Sequence, residues 1–175
     1  MLEVGFARFS AREVAKRVGY SIGTLYKVFG SYDGLILAIN GRTLELWRAY
    51  LEARLAACNA DADRLTAAIN AYFEFSLVNR HAWAALYDFR LPEDVDPPAD
   101  YSAKVSAIMS LVEREIAGAL PAERQADAPA LTRSLLATVH GHCFFTLNGT
   151  FRMLGETDPL AAARKRVAEA LAQYL

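Results

Sequence analysis

Apolar residues recur at intervals of three and four along almost the whole chain, so the pattern predicts helices throughout. No Asn-Gly or Asp-Gly turn joins alternating segments, which removes the strongest short-range signal for a β-hairpin. Ser10 can cap a short helix whose Ala11, Val14, Ala15 and Val18 share a face, and Gly19 ends it where a left-handed residue is easiest. Ser21 caps a second short helix ending near Phe29. Ser31 and Asp33 start a longer helix to about Cys58, with Leu35, Ile39, Leu46, Trp47, Tyr50 and Leu55 as its stripe.

Further helices are expected over about 62–79 (Leu65, Ile69, Tyr72, Phe73, Ser76) and 81–89, the second rich in aromatics. Residues 90–98 hold three prolines, which lack the amide donor and clash with the preceding turn, so this stretch reads as a surface loop. Val105, Ile108, Met109, Val112 and Ile116 form the next helical face, closed by Gly118 and Pro121. The run from about 128 to 153 is apolar on more than one side, as expected of a helix with neighbours on several sides. A last helix over about 158–174 carries Leu160, Ala163, Val167, Leu171 and Tyr174 on one stripe.

With 175 residues, 54% of them apolar, the chain can bury one good-sized core or a small and a medium one. Its formal charge of −1, from 19 basic and 20 acidic side chains, gives no global cationic field. A nucleic-acid surface would have to be local. Residues 1–34 carry five basic groups (Arg8, Arg12, Lys16, Arg17, Lys27) against three acidic ones (Glu3, Glu13, Asp33). Cys58 and Cys143 stand far apart in no metal-ligand spacing, which argues against a disulfide framework or zinc site and fits a reducing cytoplasm. No export signal is seen, and no apolar run approaches the roughly 20 residues that span a bilayer.

Two short helices separated by Gly19-Tyr20-Ser21 have the spacing of a helix-turn-helix, whose second helix enters the DNA major groove. Gly5-Phe6, Phe9-Ser10-Ala11-Arg12-Glu13-Val14-Ala15, Gly19-Tyr20-Ser21, Gly23-Thr24-Leu25-Tyr26-Lys27, Phe29 and Leu35 follow in order and spacing, and this series resembles the TetR-family signature. The resemblance implies an all-α fold: a helix-turn-helix DNA-binding domain over residues 1–40, and a helical bundle over 41–175 for effector binding and dimerisation. On such a recognition helix Leu25 and Phe29 face inward, and Ser21, Gly23, Thr24, Tyr26 and Lys27 face DNA. Their chemistry suits the task, with hydroxyls for bases or phosphates, a glycine for close approach and an ammonium for phosphate oxygens. Arg12 adds a backbone contact, and Tyr32 takes the place of a phosphate-contacting lysine.

Ile22, Val28 and Tyr32 depart from the family pattern on what is expected to be the DNA-facing side, each losing a charge or donor and predicting a shallower salt slope. Only Met1-Leu2-Glu3-Val4 precede Gly5, so the first helix of the three-helix unit is expected to be truncated: either the natural protein begins earlier, or the DNA-binding unit is incomplete and exposes apolar surface around Val14, Val18 and Leu25.

In the C-terminal part, Tyr72, Phe75, Trp83, Tyr87, Met109, His140 and Phe144 are the candidate effector contacts: apolar and aromatic side chains with one imidazole. A core uses the same residue types, so packing alone explains most of them. His140-Gly141 resembles the Trp-His-Gly segment of one C-terminal subclass, with Val139 in place of the tryptophan. His140 and His142 are two apart, point to different sides of a helix and have no evident third ligand, so no metal or cofactor is expected.

The family resemblance makes the last two long helices the dimer surface and the protein a cytoplasmic repressor. Its expected partners are a DNA operator, a small apolar or aromatic effector and a second copy of the chain, with no membrane. Two rival readings are a helical enzyme or small-molecule-binding module, and a DNA-binding-impaired dimeric interaction protein. The enzyme reading finds no nucleophile and base pair and no phosphate-binding glycine loop.

Overall fold

The computed structural model describes residues 9–59 and 63–174, and among these the regular elements are all helical. In order they are α1 (Ala11–Arg17), α2 (Ile22–Phe29), α3 (Tyr32–Ala56), α4 (Arg64–Val78), α5 (Arg80–Asp88) and α6 (Ala99–Gly118). A 3-10 turn (Ala122–Asp127) then leads to α7 (Ala128–Leu147), α8 (Thr150–Leu154) and α9 (Pro159–Leu171). The expected truncation of a first helix falls on residues outside the described ones. The chain forms two compact units, one of Met1–Trp47 with Asn79–Val105, the other of Arg48–Val78 with Ser106–Leu175. Helices α3 and α6 contribute residues to both.

In the first unit the local signals act as expected. The Ser10 side chain accepts from the Glu13 amide and that of Ser21 from the Thr24 amide, each satisfying a donor the first helical turn leaves open. Gly19 adopts φ +75 between the two helices, a conformation that would strain a residue with a Cβ. Behind them Ala11, Ala15, Leu25 and Leu35 form a small core, with Phe9, Val14, Ile22, Tyr26 and Ile39 packed against it. Further along, the Asn40 Nδ2 donates to the Ala85 carbonyl at 3.1 Å, and the Trp47 and Trp83 rings meet edge-on at 5.6 Å.

The second unit is built on α4, α7 and α9, which pack on one another. Ile69, Phe73, Leu135, Val139, Ala163 and Val167 are among its buried side chains. Arg64 spans several segments: it grips Glu115 through two nitrogens at 2.6 and 2.9 Å and donates to the Leu55 carbonyl at 2.9 Å. Arg164 donates to Asn70 Oδ1, tying α9 to α4.

Four expectations are corrected. The run 128–153 is not one helix: α7 stops at Leu147, and Gly149 at φ +79 turns the backbone before α8 begins. Leu46, placed on the α3 stripe, is 47% exposed, because the buried residues of α3, Leu35, Ile36, Asn40, Leu44, Trp47 and Leu51 among them, shift around the helix instead of keeping one line. Val105 is exposed in α6. Val18, expected on the apolar face of α1, lies at its C-cap and is exposed.

Candidate DNA-reading and ligand-binding sites

Helix α2 has an inner and an outer side. Leu25, only 5% exposed, points into the small core, and Ile22 and half-buried Tyr26 pack against the same cluster. Opposite them Gly23, Thr24 and Lys27 are exposed, as are Ser21 at the cap and Arg12 on α1. Of the seven residues expected at DNA, Arg12, Ser21, Gly23, Thr24 and Lys27 therefore lie open on this unit, while Tyr26 shares its ring with the core. The seventh, Tyr32, sits at the first position of α3 with its ring 6.1 Å from that of Phe9. Partial burial, then the neighbouring Tyr26 and Asp33, hold its phenol above the usual tyrosine range, so it stays an O–H donor at neutral pH.

The geometry revises the expected roles of several side chains. Phe29, expected to lie inward with Leu25, is 38% exposed, because it is the last residue of α2 and the core ends short of it. Ile22, expected among the DNA-facing departures, belongs to the inner side. Ser21 Oγ and Thr24 Oγ1 stand 2.9 Å apart, so the two hydroxyls are hydrogen-bonded to each other. Val28 is 70% exposed, the most exposed apolar side chain of α2.

The candidate effector residues fall into two groups. Trp83 and Tyr87 lie in the first unit, where the Trp83 ring stands between Trp47 at 5.6 Å and Tyr87 at 6.0 Å. Tyr72, Phe75, Met109, His140 and Phe144 lie in the second. There the Tyr72 hydroxyl and His140 Nδ1 are 2.8 Å apart, and the His140 ring lies 6.0 Å from that of Phe144. Phe75 is buried and pairs with Tyr50 at 5.7 Å; Met109 is half-buried, and Phe144 is exposed. Burial pushes the His140 imidazole below its ordinary value, so it is neutral at pH 7. One turn further along α4, the Ser76 hydroxyl meets Cys143 Sγ at 2.8 Å, and burial pushes that thiol up.

An open groove of about 650 Å³ runs along α7, α8 and α9, lined by Thr138, His142, Phe145, Phe151 and Arg166 among others. None of the seven expected effector residues lines it. Helix α7 is apolar on several sides, so periodicity cannot tell the side of His140 from that of His142. The two-residue offset between these histidines was the available signal. Among the described residues no group of His, Cys, Asp or Glu is arranged to hold a metal ion, and no helix is long and apolar enough to cross a membrane.

Two short capped helices across a glycine turn, with a glycine, a hydroxyl and an ammonium on the outer side of the second, define a helix-turn-helix unit. Residues 1–39 match the family model for bacterial regulatory proteins of the tetR family, and residues 65–171 match that for the tetracyclin repressor-like C-terminal domain. The chain thus belongs to the TetR family of DNA-binding transcriptional regulators. No curated protein matches it. It is similar to a solved structure of a protein with unknown function from Rhodococcus sp. RHA1, with a TM-score of 0.75 and 22% identity over 98% of this chain and 87% of that one. At that identity the likeness is one of fold.

Proposed function

We propose that this regulator is a cytoplasmic homodimeric repressor, released from its operator by a small apolar or aromatic effector. Residues 1–40 read DNA, and 41–175 bind effector and the second protomer. The observation that carries the reading is the outer side of α2, where Gly23, Thr24 and Lys27 stand open while Leu25 anchors the helix from behind. Arg12 and Lys27 supply phosphate contacts, and Tyr32 donates its hydroxyl to one. With so few cations on the unit, nonspecific binding is weak and the salt slope shallow. The protein acts by binding rather than by chemistry.

Dimerisation through the helices of about 128–153 and 158–174 is supported by Phe145, Met153 and Leu154, all exposed on α7 and α8. Covering such apolar surface is what a twofold interface does, and it presents two recognition helices to half-sites about one DNA turn apart. The effector site is placed at Tyr72, Phe75, Met109, His140 and Phe144, where one polar pair stands within apolar packing. Because α3 belongs to both units, an effector that prefers one setting of that helix shifts the separation of the two recognition helices.

The test is a gel shift of the full-length protein on the promoter of its own gene, across a salt series and with candidate aromatic ligands. The expected result is a salt-dependent complex that one ligand dissolves. A complex that is absent at low salt would refute the DNA-reading role, and operator affinity unchanged at saturating ligand would refute that ligand as effector.

A further inference from the structure

We propose that Val28 reads sequence, by packing its methyl groups against the C5 methyl of thymine in the operator. This rests on α2 being the DNA-reading helix. At about 100° per residue, the inner positions Ile22, Leu25 and Tyr26 put Lys27 and Thr24 on the far side of the helix, with Gly23 and Val28 at its two edges. Val28 is 70% exposed and stands outside the small core, so its methyl groups face outward, where a duplex lying on α2 would meet them.

Hydrogen-bond donors on this side are few. The Ser21 and Thr24 hydroxyls bind each other at 2.9 Å, and Ser21 Oγ also accepts from the Thr24 amide at 3.0 Å, so one of the two hydroxyl hydrogens is taken up at the helix start. Beside that pair, Gly23, the Lys27 ammonium and the Val28 side chain stand outward. The apolar group that a base pair presents in the major groove is the thymine methyl, and a valine is complementary to it. The exposed cations Arg12, Lys16 and Lys27 on the same pair of helices suit a polyanionic duplex as the occupant, rather than an apolar protein surface.

The full-length protein is used to enrich duplexes from a random-sequence library, and the enriched duplex is resynthesised with deoxyuridine replacing thymine at one position at a time. That exchange removes a methyl group and nothing else. At one or two positions in each half-site it is expected to weaken binding about fourfold, as one buried methyl group would. Val28→Ala is expected to lose a similar factor on the thymine duplex and to become indifferent to the exchange at those positions. An enriched duplex insensitive to uracil at every position, or a Val28→Ala protein that keeps full sensitivity, overturns the assignment while leaving DNA reading intact. If no duplex is enriched, the DNA-reading role itself fails, and this assignment with it.

Discussion

Helices α1 and α2 and the start of α3 are held by four buried side chains, two of them alanines, whereas α4, α7 and α9 bury large aliphatic and aromatic groups and tie them with paired polar contacts. An alanine methyl gives up little surface, so the first assembly depends on Leu25 and Leu35 and on caps at its helix ends. The second has many contributors, and each of its buried polar groups named above has a partner: Tyr72 with His140, Ser76 with Cys143, Glu115 with Arg64. A reading unit with so small a core is sensitive to single deletions, and a larger bundle distributes the load.

The largest expected effect tests that contrast. Leu25→Ala removes the central side chain of the four-residue core and is expected to cost about 2–5 kcal/mol. Helices α1 and α2 should then lose protection in amide hydrogen exchange while α7 keeps its own. Equal loss across both regions would show that the small core is not separately supported.

Next in size is Arg64→Ala in the other unit. Glu115 is 7% exposed by its side chain, and its carboxyl is held below the usual range chiefly by the hydrogen bonds from Arg64. Removing the guanidinium strands that charge. The arginine is itself 42% exposed, so water screens part of the penalty, and a loss smaller than that of Leu25→Ala is expected in urea unfolding. Replacing both residues, Arg64→Met with Glu115→Leu, should recover most of the loss.

Tyr72→Phe is a milder probe of the same bundle, expected to cost about 1 kcal/mol through the lost bond to His140. It also bears on pH. Burial lowers the folded pKa of His140 below the ordinary 6.5, so as pH falls through 6.5 the unfolded chain takes up a proton that the folded one refuses. The neutral imidazole's contribution is therefore whole above about 6.5 and is lost as pH drops toward the lower, folded pKa. Unfolding free energy measured from pH 7.5 to 5.5 should decline, and His140→Gln should flatten that decline.

The same contrast governs what could be read from sequence. Caps are local, so Ser10 and Ser21 are legible at once, and Leu25 follows from its place in the motif that begins at the Ser21 cap. Phe29 was misplaced because a stripe gives the side of a helix but not where the opposing core ends. The stop after Leu147 was hidden by apolar residues that continue through Phe151, Met153 and Leu154, while the decisive signal was Asn148-Gly149. In α3, a residue set buried in two units spreads over more than one stripe, which is why Leu46 was misassigned. For the ligand site the sequence offered aromatics, and aromatics alone do not distinguish a lining from a core.

The smallest expected effect separates the two duties that meet at Ser21. Its oxygen accepts from the Thr24 amide at 3.0 Å and pairs with the Thr24 hydroxyl at 2.9 Å, so Ser21→Ala should cost about 1 kcal/mol of stability and at the same time remove one hydroxyl from the DNA-facing side. Ser21→Asn keeps a capping oxygen, so thermal unfolding should return close to the original. Operator affinity then decides the role of the hydroxyl. If Ser21 serves only to hold α2, asparagine restores DNA binding together with stability. If asparagine restores stability but not affinity, the serine hydroxyl contacts DNA directly, and the reading surface is more polar than the Ser21–Thr24 pair implies.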